Sequence, residues 1–301
     1  MSDHTMVTIA KKARIKVLEL IYKAQTSHIG SNFSAIDIMA VLFEKVDPKE
    51  DEIILSKGWA AAAWYYFLWR KGIISEEELN SFCGPCDKCL GTGFWEQYGR
   101  RNAVCFKCDG YGQSKFIGLV EPMNRWGLRI GGGSMGLGLP GAVGLALAKK
   151  LKKEEGKVYV LLSDGECQIG TFYESILLTK QHSLSNLVVL VDNNKFCAMG
   201  RTKDILDIEP LHTRIRTFGW YVQRINGHNF SDIESSLEFI DKNAPNLIIC
   251  DTEKGFPISF MRSNNVFHYK SPSPDEYRDA MYESMFGISF QCNDCGCRWL
   301  Q

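Results

Sequence analysis

The sequence predicts an α/β fold of three layers, α/β/α, in which a parallel β-sheet lies between two layers of helices. In the second half of the chain, short apolar runs alternate with helical stretches, which is typical of parallel sheets covered on both faces. Hydrophobic residues make up 45% of the 301 residues and charged residues 23%, so the chain has an ample core to bury. A segment rich in Cys and Gly, at 83–116, breaks the aliphatic pattern and predicts a small insertion.

The first part of the chain is predicted to be mainly helical. Residues 7–24 separate apolar and lysine-rich faces, as an amphipathic helix does. A second helix follows, with Ser34 as its predicted N-cap. A short strand at 53–55 then leads into an aromatic, Ala-rich helix that ends near Gly72. At helical spacing, the aromatic residues of this helix indicate core or subunit interface rather than a cofactor site.

The second part of the chain supplies the rest of the sheet. Gly131–Gly138 is a glycine-rich turn that leads into a long helix. Strands are predicted at 158–162, 187–191, 221–225 and 247–250, and helices at 171–183, at 231–243 and in part of 201–219. The predicted domain division is a main domain of 1–82 and 117–280, an insertion of 83–116 and a Cys-containing tail of 281–301.

The overall charge and the distribution of apolar residues argue against a nucleic-acid-binding, membrane-spanning or secreted protein. Thirty-five Lys and Arg balance thirty-five Asp and Glu, so no chain-wide nucleic-acid surface is expected. No apolar run reaches the length of a membrane span, and the N-terminal residues lack the apolar core of a secretory signal. We therefore expect a cytoplasmic protein whose eleven cysteines are reduced or bound to metal.

Two copies of the pattern CxxCxGxG lie in the insertion. The first contains Cys86 and Cys89, and the second contains Cys105 and Cys108. Four thiolates can surround one tetrahedral Zn²⁺ ion and leave no open position, so the pattern predicts a structural zinc site. Unliganded thiols and a redox CxxC are the alternatives, but a redox dithiol does not need a second copy with matching glycines.

These repeats resemble the cysteine-rich zinc modules of the DnaJ chaperones. The resemblance covers 86–112 and implies a zinc-stapled hairpin, not chaperone activity. Cys83 also forms a CxxC with Cys86, which leaves the choice of ligands open. Three cysteines near the C-terminus are candidates for a second metal site, with a reduced tail as the alternative: Cys292, Cys295 and Cys297.

Polar residues follow two neighbouring strands of the predicted sheet. The strand at 158–162 runs into Asp164 and Gly165, and the next helix begins near Gly170, so backbone N–H groups are available for a phosphate. The following strand ends near Asn194. At one edge of a parallel sheet, a carboxylate and an amide oxygen form a hard oxygen site for Mg²⁺ or Ca²⁺ carried on a diphosphate.

The pattern of Asp164 with Asn194 resembles the thiamine diphosphate motif, and residues 8–280 resemble the N-terminal part of transketolase. The matching segments occur in the order that the family has: Ser27–Gly30, Ser34–Asp37, Ile54–Gly58, Gly133–Gly138, Asn226–His228, Thr252–Gly255 and Phe267–Pro272. The resemblance implies the thiamine diphosphate-binding fold, with the zinc-binding insertion between two of these segments.

The resemblance also implies which residues hold the cofactor. Asp164, Asn194 and the carbonyl of Phe196 would bind Mg²⁺. Gly165 would donate its N–H to the diphosphate. Three residues of the glycine-rich turn would line the cofactor: Gly133, Ser134 and Met135.

Catalytic roles are implied in the same way. His28 and His268 match histidines that contact substrate or diphosphate and move protons, and Glu174 matches an acidic position in a proton network at the subunit interface. Trp59 and Glu121 stand where the family has histidine. Two smaller departures from the family are Ser163 in place of Gly and Ile169 in place of an acidic residue. The altered residues leave cofactor binding possible but change the substrate side, because an indole offers one donor and a carboxylate repels anions.

Two-chain transketolases divide at the point where this sequence ends, so the resemblance implies a separate partner chain that carries the pyrimidine-binding domain, in an α2β2 heterotetramer. The implied reaction transfers a two-carbon ketol unit from a ketose, or ketose phosphate, to an aldose. The alternatives are a carboligase that decarboxylates a 2-oxo acid and a catalytically degenerate, zinc-bearing interaction module. Nicotinamide binding is disfavoured because Gly131–Gly138 follows no clear strand.

Overall fold

The computed structural model describes residues 3–92, 94–97, 100–105, 107–108, 111–132, 135–286, 289–291 and 298–300. The main strands are β1 (Glu52–Leu55), β4 (Val158–Ser163), β5 (Leu187–Asn193), β6 (Tyr221–Asn226) and β7 (Asn246–Asp251). They form one sheet in the order β1-β4-β5-β7-β6, and all four neighbouring pairs are parallel. Two antiparallel pairs complete the strands: β2 (Phe94–Gln97) with β3 (Arg100–Val104), and β8 (Ser289–Gln291) with β9 (Arg298–Leu300).

Ten helices are described in addition to these strands. They are α1 (Asp3–Ala24), α2 (Ile29–Lys45), α3 (Ala61–Arg70), α4 (Glu76–Asn80), α5 (Gly138–Lys152), α6 (Gly170–Gln181), α7 (Thr202–Ile205), α8 (Leu211–Thr217), α9 (Phe230–Glu238) and α10 (Pro274–Phe286). Short 3₁₀ turns lie at Gly58–Ala60, Asp164–Gln168 and Asn265–His268. Within the described ranges, no helix is long and apolar enough to cross a membrane.

Two hydrophobic cores lie on opposite faces of the sheet. Val188 and Leu190 of β5 pack into the core that includes residues of α1, α2, α3 and α9. The alternate residues Val189 and Val191 pack into the core formed with α5, α6 and α8. Successive side chains of a strand point to opposite faces, so the continuous apolar runs of β4, β5 and β7 are buried on both sides. The predicted three-layer α/β/α fold is therefore confirmed.

Helix α2 begins five residues earlier than Ser34, so the prediction of Ser34 as its N-cap is wrong. The helix starts at Ile29, after His28 in a left-handed conformation with φ 74°. Ser34 is fully buried inside the helix, and its hydroxyl donates a hydrogen bond to the Asp192 carboxylate at 2.7 Å. A Ser that faces a buried carboxylate is satisfied within a helix and does not need to end one.

Helix α9 is shorter than predicted, because it ends at Glu238 instead of 243. The side chain of Asp241 accepts hydrogen bonds from the backbone N–H groups of Asn243 and Ala244. Pro245 follows this turn immediately before β7. An Asp side chain that binds nearby N–H groups competes with the helix, and this local effect overrides the apolar periodicity.

The insertion is joined to the main body by a short antiparallel stem. The N–H of Cys83 donates to the carbonyl of Phe116 at 2.8 Å, and the N–H of Ser114 donates to the carbonyl of Gly84 at 3.0 Å. The N–H of Cys86 donates to the carbonyl of Gly112 at 2.8 Å. These bonds pair the two ends of the insertion directly below its cysteines, so the stem fixes where the insertion leaves the body.

Candidate cofactor site

The carboxyl ends of β4 and β5 place Asp164 beside Asn194. The Asp164 carboxylate accepts hydrogen bonds from the N–H of Gly165 at 2.9 Å and from the N–H of Lys195 at 2.7 Å. The amide oxygen of Asn194 accepts from the N–H of Phe196 at 3.1 Å. Two consecutive backbone N–H groups, those of Lys195 and Phe196, thus bind the two predicted ligand side chains. As the positions of Asp164 and Asn194 after two neighbouring strands predicted, their side-chain oxygens lie at one edge of the sheet.

The charged side chains at this sheet edge are buried, and their burial shifts the pKa of Asp164. Asp164 is fully buried, and burial together with the nearby charge of Asp192 raises the pKa of the Asp164 carboxyl to about 7. Asp192 itself forms an ion pair with the buried Lys57 and accepts a hydrogen bond from Thr252. A divalent cation beside Asp164 would favour its ionised form. The buried carboxylate and amide oxygen are the ligand types that Mg²⁺ and Ca²⁺ prefer, so the residues fit such an ion.

A buried lysine lies at the same sheet edge, after β7. Lys254 is fully buried, and its ammonium donates to Asn265 at 2.7 Å and to Nδ1 of His268 at 3.0 Å. Burial, followed by the charge of Lys57, lowers the pKa of Lys254 to about 8. Within the described part of the chain, no carboxylate forms an ion pair with Lys254. A buried cation without a carboxylate partner suits an anionic ligand such as a diphosphate.

Two histidines meet next to Lys254. The rings of His28 and His268 are in edge contact, with centroids 4.6 Å apart. The backbone N–H of His28 also donates to the backbone carbonyl of His268 at 3.0 Å. Burial lowers the pKa of His28 to about 4 and that of His268 to about 3, with the charge of Lys254 as the next cause in both. Both imidazoles are therefore neutral at pH 7. Because Lys254 donates to Nδ1 of His268, the proton of this neutral ring lies on Nε2.

Trp59 covers one face of this histidine pair. Its indole stacks on the imidazole of His28, and its carbonyl accepts a hydrogen bond from the side chain of Asn32 at 3.0 Å. The same Asn32 accepts a hydrogen bond from the N–H of Ala63, so one side chain of α2 holds both ends of the turn after β1. Trp59 is therefore part of the site and not of the core. The aromatic pattern that begins at Trp59 indicated core or subunit interface. That interpretation is wrong for Trp59, but the buried aromatic residues of the following helix do lie in the core.

The glycine-rich turn lies against the end of β1. A Cβ at Gly58 would overlap the carbonyl of Gly132, and one at Gly138 would overlap Ser56, so these close approaches require glycine. Met135 is 46% exposed, and the end of its side chain lies within 3.5 Å of a Cβ built at Gly165. Met135 and Gly165 are therefore neighbours, and their roles in binding the cofactor stay predictions. Gly133 and Ser134 lie outside the described residues.

Gly165 and Glu174 make no contacts that correspond to their predicted roles within the described part of the chain. The N–H of Gly165, which the resemblance assigns to the diphosphate, donates to Asp164 in this structure. Glu174 is exposed on α6, and its side chain makes no ion pair or hydrogen bond with any residue in the described ranges. Its implied role in a proton network at a subunit interface stays a prediction.

Sequence reasoning assigned no role to three buried charged residues of this edge. Lys57 lies two residues after β1 and Lys254 three residues after β7, both inside segments that match the family. Their positions just beyond strand ends are the sequence feature that could have pointed to this edge. Glu166 is also buried, where it accepts hydrogen bonds from Ser56 and from the N–H of Gly136. Glu166 thus links the glycine-rich turn to the end of β1 by hydrogen bonds. The sequence alone does not indicate this role, because both partners are distant in the chain.

The four cysteines of the repeated motif form a separate buried cluster. The sulfur atoms of Cys86, Cys89, Cys105 and Cys108 all lie within 4.8 Å of one another. The Cys86–Cys105 and Cys89–Cys108 sulfur distances are 3.9 and 3.7 Å. Tetrahedral Zn–S bonds of about 2.3 Å place sulfur atoms about 3.8 Å apart, so the cluster has the dimensions of a zinc site. Cys83 is not in the cluster, and Cys292, Cys295 and Cys297 lie outside the described residues.

Comparisons with known proteins identify the family of this chain. Residues 111–284 match the family described as transketolase, thiamine diphosphate binding domain. An apulose-4-phosphate transketolase subunit of Actinobacillus succinogenes is 32% identical over 285 residues, which cover 91% of this chain and 94% of that protein. The 6-deoxy-6-sulfo-D-fructose transketolase subunit SqwG of Clostridium sp. is 29% identical over 285 residues, with the same two coverages of 91% and 94%.

A solved structure gives the same result for the fold. The transketolase of Campylobacter jejuni superimposes with a TM-score of 0.77 and 25% identity, over 95% of this chain but only 43% of that chain. The fold and the family match define a thiamine diphosphate-binding α/β domain. The chain belongs to the transketolase family, and it spans less than half the length of the Campylobacter jejuni transketolase.

Proposed function

We propose that this chain is the thiamine diphosphate-binding subunit of a transketolase that works together with a separate partner chain. The observation that carries this proposal is the buried sheet edge that holds Asp164, Asn194 and Lys254, with the Lys254 ammonium bonded to the neutral His268. Two relatives of nearly the same length are named as transketolase subunits, which supports a division of the enzyme between two chains. An α2β2 assembly is the arrangement that we expect.

The proposed reaction transfers two carbons between sugars. The bond between C2 and C3 of a ketose breaks, and the remaining fragment leaves as an aldose that is two carbons shorter. A new bond then joins C2 to the aldehyde carbon of the acceptor, whose oxygen becomes a hydroxyl. When bound, thiamine diphosphate supplies the electron sink for the broken bond. The proton that leaves the C3 hydroxyl of the donor returns to the acceptor oxygen, so no external oxidant or reductant is needed.

The residues of this chain would bind the cofactor and move the protons. Asp164, Asn194 and the carbonyl of Phe196 would hold Mg²⁺ (or Ca²⁺) on the diphosphate. Lys254 would offset diphosphate charge, since it is a buried cation that lacks a carboxylate partner among the described residues. The neutral His28 would accept a proton from a substrate hydroxyl and return it, whereas His268, with Nδ1 occupied by Lys254, would donate a hydrogen bond from Nε2 to a substrate or diphosphate oxygen.

We also propose that the four clustered cysteines bind one structural Zn²⁺ ion. All four thiols are buried, and the N–H of Gly112 donates to the sulfur of Cys108 at 3.2 Å. Thiolates that receive backbone N–H groups are common in zinc knuckles and are favoured when the sulfur carries negative charge. The ion would hold the insertion together, because this segment contributes few apolar residues to a core.

Reconstitution with a candidate partner chain tests the proposed function. The purified chain is mixed with a chain that carries a pyrimidine-binding domain, with thiamine diphosphate and Mg²⁺. Turnover is followed with several ketoses and with two 2-oxo acids, hydroxypyruvate and pyruvate. We expect transfer only when both chains and the cofactor are present. Exclusive turnover of pyruvate would instead favour the decarboxylating carboligase. Cofactor binding without turnover of any donor would favour the degenerate interaction module.

A further inference from the structure

A cavity of about 320 Å³, open to solvent on one side, lies between the insertion and the main body. One wall comes from the insertion and its stem, through Tyr111, Gln113 and Lys115. The opposite wall comes from Glu121, Pro122 and Met123, which precede the glycine-rich turn. Ligand sites for small molecules begin at about 300 Å³, so the cavity has room for a molecule of the size of a monosaccharide.

One wall of the cavity packs against the glycine-rich turn. The carbonyl of Val120, next to Glu121, accepts a hydrogen bond from the N–H of Gly132 at 3.2 Å. A Cβ at Gly131 would lie 3.1 Å from ring atoms of Pro122. Gly132 in turn lies against Gly58, the residue before Trp59. A ligand in the cavity would therefore lie beside the glycine-rich turn that leads to Met135.

The cysteine cluster fixes the insertion side of the cavity. The N–H of Tyr111 donates to the carbonyl of Cys108 at 2.9 Å, and Gly112 donates to the Cys108 sulfur. Gln113 pairs with Pro85 as an antiparallel bridge in the stem. Tyr111 and Gln113 are thus placed by the backbone of the metal-binding motif, although the Tyr111 side chain is 84% exposed.

The lining has the chemistry of a sugar site. The Tyr111 ring and the apolar surface of Pro122 and Met123 suit the C–H groups of a sugar, and the Gln113 amide and the Glu121 carboxylate suit its hydroxyls. Glu121 offsets the charge of Lys115, and the four thiolates proposed to surround Zn²⁺, which include Cys108 of the cavity lining, add negative charge, so the lining would not select an anion. These features favour an uncharged, hydroxyl-rich ligand.

We propose that this cavity is an acceptor subsite, in which the insertion binds the distal hydroxyls of an uncharged aldose of about five carbons. This proposal rests on the proposed function, since the aldehyde end of the ligand would reach the cofactor edge. It assigns the insertion a part in substrate selection in addition to its structural metal. A two-carbon acceptor would be too short to reach the cavity.

Acceptor kinetics of the reconstituted, zinc-loaded complex test the proposal with two probes, D-ribose and glycolaldehyde. Tyr111→Ala and Gln113→Ala are each expected to raise the KM for D-ribose at least about tenfold, while kcat/KM for glycolaldehyde stays within about twofold. Leu90→Ala is the matched control, because Leu90 is 83% exposed on the first cysteine repeat and does not line the cavity. Equal losses with both acceptors, or no loss with D-ribose, would overturn the proposal.

A binding measurement separates this proposal from the proposed function. Saturation-transfer NMR of D-ribose with the zinc-loaded chain is expected to show contacts that disappear in Tyr111→Ala and persist in Leu90→Ala. Absence of contacts in the wild-type chain would refute the subsite. Failure of the complex to transfer to glycolaldehyde would instead refute the proposed function. A Tyr111-dependent preference for D-ribose 5-phosphate over D-ribose would contradict the assignment of an uncharged ligand.

Discussion

The indole of Trp59 lies flat on the imidazole of His28, with ring centroids 3.8 Å apart and ring planes 8° apart. Trp59 is 36% exposed and His28 only 8%, so the indole shields one face of the imidazole from the site. An indole N–H donates one hydrogen bond but does not exchange a proton near neutral pH. The transketolase resemblance places a histidine, an acid–base group, at this position. Trp59 presents an apolar surface there instead.

Restoring histidine at the two altered positions is expected to restore ordinary substrates. We predict that Trp59→His combined with Glu121→His raises kcat/KM for D-xylulose 5-phosphate by about ten- to a thousandfold, the range that acid–base catalysis supplies. Removing the Glu121 carboxylate also removes its repulsion of a phosphorylated sugar. The assay uses the reconstituted complex, with Trp69→His as a control outside the site. High activity of the unmodified complex on this substrate would show that the two residues do not reshape the pocket.

Metal analysis tests the cysteine cluster. We predict one Zn²⁺ per wild-type chain and loss of that ion in Cys86→Ser with Cys108→Ser, because the remaining two clustered thiols cannot complete a tetrahedral site. Cys83→Ser is the matched control, and it should keep its zinc because Cys83 lies outside the cluster. Zinc that persists in the double variant, or that is lost in the control, would require another ligand set.

The low pKa values of His28 and His268 predict how stability depends on pH. Both folded-state pKa values lie below the ordinary 6.5, so the unfolded chain binds more protons once the pH falls below about 6.5. Each histidine is therefore expected to cost about 2 kcal/mol of unfolding free energy between pH 7 and pH 5. Urea unfolding of the cofactor-free chain at both pH values measures this loss.

His268→Gln should reduce the loss between pH 7 and pH 5 by about one such contribution, because glutamine does not titrate. The exposed His182 provides the control, and His182→Gln should behave like the wild-type chain. An unchanged pH dependence in His268→Gln would mean that this imidazole titrates normally in the folded chain.

The sheet and part of its functional edge were predictable because their signals are local. The buried runs of β4 and β5 are continuous in sequence, and parallel strands bring the residues after them, Asp164 and Asn194, to the same edge. Ser34 was misassigned because its hydroxyl is satisfied by Asp192, a residue 158 positions away. A contact of this kind leaves no periodic trace in the sequence.

Long-range contacts also explain why two other features could not be predicted. Lys254 is a candidate for diphosphate binding only because of its folded environment. It is buried against His268 and forms no ion pair with a carboxylate in the part of the chain that the structure describes. The stack of Trp59 on His28 depends on the turn after β1 meeting the start of α2. In both cases the side-chain chemistry was visible in the sequence, but the environment that gives it a role was not.

Cofactor binding by Asp164→Ala tests the central claim most directly. Titration calorimetry with thiamine diphosphate and Mg²⁺, in the presence of the partner chain, should show saturable binding for the wild-type chain. Asp204→Ala, which removes an exposed carboxylate nearby, should bind like the wild type. We predict that Asp164→Ala loses Mg²⁺-dependent binding while its circular dichroism spectrum stays unchanged, because the metal loses its charged protein ligand. Wild-type affinity in a folded Asp164→Ala chain would contradict the assignment of this sheet edge as the cofactor site.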